Sequence, residues 1–193
     1  MNNFYIVDVF AERPFTGNQL AVLRRGNRFS TETMPQMARE TNFSDTAFIM
    51  SDEATPEGYE VRIFTPEEEL PFAGHPSLGT ARVIQQELIR TPVEKLSLRL
   101  VGTIPISIQY RHPRSFRGRH RGIANGCRAA YLLKHRLSHK GEHRSEQGYE
   151  IGRPSLLTSR ALEKGGEIRV SVGGRVIPIV KGKLFFRDRQ EMT

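Results

Sequence analysis

Apolar and β-branched positions along the chain fall into short runs between turn-forming clusters, and the period of each run predicts its element. Residues 4–10 (FYIVDVF) form a strand-like block, the cluster 12–18 (ERPFTGN) a turn, and residues 19–23 a second extended block. Ser30 and Thr31 offer a helix cap ahead of Met34, Met37, Ala38 and Thr41 at helical spacing. Residues 43–45 break that helix and lead into a strand over 46–50, and residues 59–64 alternate so that one face is buried. A Pro- and Gly-rich loop then gives way at His75-Pro76 to a helix reaching about Ile89, with proline in its favoured first turn. Residues 96–100 and 104–109 alternate as a hairpin around Gly102-Thr103.

Beyond this point the pattern weakens. Residues 111–121 (RHPRSFRGRHR) have no period, almost no apolar side chain and no acid. A helix over 124–137 presents part of a face through Cys127, Ala130, Tyr131, Lys134 and Leu137. Residues 148–154 are turn-rich, and residues 167–172 and 176–180 are expected to form a hairpin over Gly173-Gly174.

Composition narrows the class. A chain of 193 residues is long enough for one domain or two small ones, and no apolar run approaches the ~20 residues of a membrane span. Met-Asn-Asn-Phe-Tyr lacks the layout of a secretory signal, so the expected compartment is the cytoplasm. Cys127 is the one cysteine, which excludes an internal disulfide and any two-thiol mechanism. The net charge of +8 is local: residues 111–143 hold nine Lys and Arg against Glu142, and the rest of the chain balances.

The chemistry-bearing residues gather in residues 42–46 (NFSDT) and 71–77 (PFAGHPS). A carboxylate at a helix-to-strand turn and a histidine at a helix entrance suit proton transfer, and amides opening that helix suit an anion. The same residues also make an ordinary Ser/Asp turn and a helix cap. His135, His139 and His143 stand four apart, but Ser138 and Gly141 interrupt any helix that would align them, so solvent-facing histidines are expected and no metal. Cys127 is expected to be packed on its helix face.

Three ordered blocks, FYIVDVFAERPFTGNQLAVL, ARETNFSDTAFI and YEVRIFTPEEELPFAGHPSLGTA, resemble the phenazine-biosynthesis PhzF-like family, which shares the diaminopimelate epimerase fold. The likeness resumes at IANGCRAAYLLKH, EQGYEIGRPSLL and VSVGGRVIPIVKGKL. It implies an α/β (α+β) fold of two lobes, each a curved sheet around a central helix, with the site between them. It also implies a cofactor-free isomerase that moves a proton on a small carboxylate-bearing metabolite, and makes a homodimer reasonable. In this resemblance Asp45 stands where the family has its acid/base glutamate, one methylene shorter, and His75 matches the GHP histidine. Ser44, Gly74, Pro76 and Ser77 would hold substrate, together with Gly122 and Ile123 at a second helix entrance. The epimerase relatives use a cysteine pair, for which this chain has no counterpart.

The departure from the family lies in the middle. A first lobe over 1–110 and a shortened second lobe over 122–193 flank the basic stretch 111–121, where the family's Glu-Asp-Pro-x-Thr-Gly motif is absent. One codon set for Arg117 to Gly122, read one base later, gives Glu-Asp-Gly-Thr-Gly. A frameshifted or internally deleted gene is therefore expected, leaving an impaired homologue as the alternative function. The basic stretch lacks interleaved aromatics, Phe116 standing alone, so no nucleic-acid partner is expected. DNA affinity titrated at rising salt should be weak and flat; a steep slope would reveal phosphate contacts and contradict this.

Overall fold

The computed structural model describes residues 2–110, 116–120, 124–138 and 142–185. Strand β1 (Asn2–Val9) is flanked on both sides, by β2 (Asn18–Arg24) and by β11 (Glu167–Leu184), both antiparallel. Helix α1 (Thr33–Thr41) connects β2 to the parallel strand β3 (Thr46–Ile49). The residue that caps α1 is Glu32, without a side-chain bond, rather than Ser30 or Thr31, although Ser30 Oγ accepts the Thr33 amide at 3.2 Å. Strands β4 (Tyr59–Phe64) and β5 (Glu69–Leu70) precede helix α2 (Gly74–Ile84), which a π-helical turn, Gln85–Ile89, prolongs to the expected end. The hairpin of β6 (Lys95–Arg99) and β7 (Thr103–Tyr110) also forms as expected.

The sheet runs β1-β2-β3-β4-β6-β7, continues through β8 (Phe116–His120) to β11, and β11 pairs back onto β1. The strands therefore close around α2, which packs against β1, β2, β3, β6, β8 and β11. Eight of its 11 residues are buried, which accounts for a helix that is apolar or small almost all round. The main core joins Val7, Val9 and Leu20 of the sheet to Leu78, Ala81 and Ile84 of the helix. A second cluster lies under α1, where Phe48 meets Phe64 edge-on at 5.5 Å.

The remaining strands, β9 (Glu142–Gln147) and β10 (Ser155–Lys164), extend the sheet from the first half of β11, and α3 (Ala124–Lys134) packs on β10 and β11. One strand thus serves both parts: the first half of β11 pairs with β8 and β10, the second half with β1. Its turn into the second half carries a bulge, where Ile6 faces Val180 but Val7 faces Pro178. A proline without an N–H is tolerated at such an irregularity.

Three further expectations are corrected. The stretch 111–121, expected to be irregular, contains strand β8 in its described part, because β7 and β11 offer backbone ladders on both sides that do not depend on side-chain polarity. Gly173-Gly174 is no turn but the interior of β11: a Cβ on Gly174 would sit 2.6 Å from Phe10 Cδ1, so the glycine serves close approach. The hairpin turns instead at Gly165 and Gly166, both with positive φ, joining β10 to β11. Among the described side chains of α3, Ala129 is the buried one, with Leu132 and Leu133 half-buried beside it, whereas Cys127 and Tyr131 are exposed. Burial falls on the alternative apolar stripe at 129, 132 and 133, in a helix that packs on β10 and β11.

No helix among the described residues is long and apolar enough to cross a membrane. They also contain no group of three or more His, Cys, Asp or Glu placed to hold a metal. His143 lies on β9 and His135 just past the end of α3, so the two are not on one helix face, and His139 is outside the described residues.

Enclosure makes α2 intolerant of added bulk. A Cβ on Gly79 would lie 2.4 Å from Leu20 Cδ2 and 3.0 Å from Cγ2 of both Val7 and Val9. Gly79→Ala should destabilise the chain by about 1–3 kcal/mol despite alanine's better helix propensity. In urea unfolding, Gly79→Ala with Leu20→Ala should cost less than the two single changes together, because both act on the same contact.

Candidate active site

The two sequence blocks that carry chemistry meet at the entrance of α2. Helix α1 stops because Asn42 turns left-handed (φ 51°) and its amide caps Ala38 O at 3.1 Å. The chain then passes through Phe43 and Ser44 to Asp45, immediately ahead of the fully buried strand β3. On the other side, Ala73 is extended (φ −144°, ψ 138°) and Gly74 begins α2, so His75 lies in its first turn. His75 Nε2 is 3.3 Å from Asp45 Oδ2, and the side chains retain 13% and 10% exposure respectively.

Burial pushes the Asp45 carboxyl above its ordinary value of 3.8, and a hydrogen bond from the Ser44 side chain pulls it partly back. Desolvation disfavours the charged form, so the shift is the one a carboxyl needs to hold a proton closer to neutral pH. The positive end of the α2 dipole faces the same spot and favours an anion by about 0.3–1 kcal/mol. A carboxyl and an imidazole 3.3 Å apart, shielded but not sealed from solvent, can pass one proton between them and a bound substrate.

The other residues singled out in the sequence take varied places. Ser44 is exposed and reaches the Asp45 carboxyl. Gly74 is half-buried at the start of α2, and Pro76 is buried behind it without an N–H to offer. Ser77 is fully buried, and both its hydroxyl (2.7 Å) and its amide (3.2 Å) donate to Ala73 O. That helix entrance therefore has fewer donors for an anion than the count of its residues implies. Gly122 and Ile123 lie outside the described residues.

Two polar arrangements escaped the sequence reading. Asp8, 2% exposed within β1, accepts the Phe15 amide at 2.7 Å and Arg153 Nη2 at 2.6 Å. Arg153 also donates to Gly17 O and Thr16 O, tying the first turn to the segment before β10. Burial raises the Asp8 carboxyl, while the Phe15 amide and Arg153 draw it down. The signal available was an acid inside the apolar run FYIVDVF, since a buried carboxylate requires partners. The second arrangement joins the hydroxyls of Thr41 and Thr46 at 2.8 Å across the loop that carries Asp45.

The sign of the Asp45 shift fixes a pH dependence. The folded chain holds this proton more tightly than the unfolded one, so its stabilising contribution is complete below the ordinary value and is lost as pH rises through the raised one. Asp45→Asn should flatten that part of the stability profile and melt no lower than the wild type at neutral pH. Thermal melts across the acid-to-neutral range check this; an Asn variant that melts lower would show that the charged carboxylate stabilises the fold.

Residues 7–116 match the family described as phenazine biosynthesis-like protein, PhzC-PhzF. The trans-2,3-dihydro-3-hydroxyanthranilate isomerase of Pseudomonas aeruginosa is 39% identical over 110 residues, which is 56% of this chain and 38% of that relative. The chain thus matches well under half the length of this relative. A PhzF-family phenazine biosynthesis protein from Bacillus anthracis superposes over 96% of this chain and 100% of its own, with TM-score 0.83 at 14% identity. A predicted epimerase from Pseudomonas aeruginosa covers the same shares with TM-score 0.82 at 22% identity. The fold is accordingly the epimerase-like α/β arrangement, and the match over more than half the sequence, running through both blocks that meet at α2, makes this chain a member of the phenazine biosynthesis-like PhzC-PhzF family.

Proposed function

We propose that this chain is built as an isomerase that moves a proton on a small carboxylate-bearing metabolite. The observation that carries the reading is the 3.3 Å approach of His75 Nε2 to the buried Asp45 carboxyl at a helix entrance. Relatives that bear the name isomerase, among them the trans-2,3-dihydro-3-hydroxyanthranilate isomerase of Pseudomonas aeruginosa, support it. Asp45 is the acid/base: its carboxylate removes a proton from one substrate carbon and returns it at another. His75 stabilises whichever form of the carboxyl the step leaves. The proton count balances within the substrate, so the proposal calls on no cofactor. Ser44 and Gly74 shape the wall on this side, with Pro76 and Ser77 packed behind them.

A second reading, a homologue that binds but scarcely turns over, is favoured by two observations. The family match stops at residue 116, inside the basic stretch, where the family's Glu-Asp-Pro-x-Thr-Gly motif would follow. Asp45 is also a methylene shorter than the family's glutamate, and a misplacement of ~1 Å can cost ~100-fold in rate.

Turnover of trans-2,3-dihydro-3-hydroxyanthranilate, followed with solvent deuterium incorporation, should therefore fall far below an ordinary kcat of ~10 s⁻¹. Asp45→Asn should abolish what remains with the fold intact, and Asp45→Glu should not restore a full rate by itself. A wild-type kcat in the ordinary range would eliminate the impaired reading. Residual turnover that survives Asp45→Asn would eliminate Asp45 as the acid/base.

A further inference from the structure

Asp45 stands on a loop whose own residues do little to fix it. Asn42 and Ser44 are exposed and Phe43 is only half-buried, so the loop has no deep anchor between α1 and β3. What holds its two stems together is a pair of hydroxyls. Thr41 Oγ1, at the end of α1, lies 2.8 Å from Thr46 Oγ1, the first residue of β3. Thr41 Oγ1 also lies 3.0 Å from Ala38 O and donates to it. A hydroxyl has a single proton, so with that proton on Ala38 O the bond between the two threonines runs from Thr46 to Thr41.

The result is a directed chain, Thr46 O–H to Thr41 O–H to Ala38 C=O, ending on the same carbonyl that the Asn42 amide caps. Each hydroxyl polarises the next, which strengthens both bonds. Thr46 is wholly buried, so water cannot substitute as its acceptor. Its backbone is registered on both sides, opposite Ala21 of β2 and Phe64 of β4. Successive side chains of extended backbone point to opposite faces. With Thr46 turned toward α1, its neighbour Asp45 is turned the other way, toward His75 on α2.

We infer that Thr46 and Thr41 are positioning residues, whose hydroxyl bond on the α1 side of the sheet holds the Asp45 carboxyl against His75 on the α2 side. Neither threonine touches the reacting atoms. The inference rests on the reading of Asp45 and His75 as the proton-transfer pair.

The test compares Thr46→Val, which keeps shape and loses the hydroxyl, with Thr46→Ser, which keeps the hydroxyl, in the full chain. The readouts are the ¹³C titration of the Asp45 carboxyl and, on trans-2,3-dihydro-3-hydroxyanthranilate, kcat against KM. Thr46→Val should displace the Asp45 titration midpoint and lower kcat by ~10–100-fold at nearly constant KM, as expected for a shift approaching ~1 Å. Thr46→Ser should return the titration and the rate toward wild type. If Thr46→Val does not fold, Thr41→Val at the half-buried helix end replaces it and should displace the titration in the same way.

A valine variant that melts lower but keeps the wild-type Asp45 titration overturns the inference, since a merely structural threonine behaves so. Failure of serine to rescue overturns it equally. The titration readout does not depend on turnover, so it decides the matter even in a slow enzyme. The underlying site has its own control: His75→Asn must move the Asp45 titration. If it does not, the pair itself is refuted, whereas a His75-dependent titration untouched by Thr46→Val refutes only the threonine clamp.

Discussion

Enclosure of α2 by strands on almost every side is the constraint from which the rest of this structure follows. A helix so surrounded must be apolar or small along its length, and Gly79 against Leu20 marks how little space remains. Polar chemistry is then confined to its ends, where backbone amides emerge and side chains meet solvent. His75 stands in the first turn for that reason, and Asp45 reaches it from the neighbouring loop. The position of the candidate site is thus a consequence of how the core is filled.

Closure of the ring depends on β11, and a set of polar ties beside it joins the turn after β1 to the segment that enters β10. Leu156 N–H donates to Phe10 O and Gly17 N–H to Pro154 O, while Arg153 reaches Asp8, Thr16 and Gly17. A charged pair in such a place is a weak source of net stability, because both ions were better solvated in water. Its geometry is nevertheless demanding: Asp8 accepts from two directions and Arg153 donates to three oxygens. The pair thereby sets the register in which the segment before β10 meets the first turn.

Most of the first 110 residues were legible because most strands there are apolar or alternating runs that end at a turn cluster, although the two-residue β5 inside the Pro- and Gly-rich loop was not read. Residues 59–64 and the hairpin at Gly102-Thr103 are cases where period and turn chemistry agree. Asp45 and His75 were legible from residue type and from their motif blocks, and the structure brings them together. Strand β8 was not, since its ladder is made of backbone groups that an arginine-rich composition does not report. Gly173-Gly174 misled for the opposite reason: glycine marks close approach as readily as a turn, and Phe10, its neighbour in space, is remote in sequence. The α3 face was misplaced because two apolar stripes compete there and only contact with β10 and β11 decides between them. The threonine pair and the Asp8–Arg153 contact are properties of packing, with no local spacing to announce them.

The pairing of β1 with β11 also carries a consequence for how the chain reaches this state. Asn2 lies opposite Leu184 and Val9 opposite Val176, so one edge of β1 is covered only by a strand made far later along the chain. Contacts of such long separation form late and slow the overall search, and an uncovered strand edge is a template for wrong partners meanwhile. Helix α2, synthesised in between, has its wall on the β1 and β2 side early but lacks the β8 and β11 side until those strands are made. The nascent protein therefore passes through a stage in which its most apolar helix lies in an open trough, and that stage is when a chaperone has most to protect.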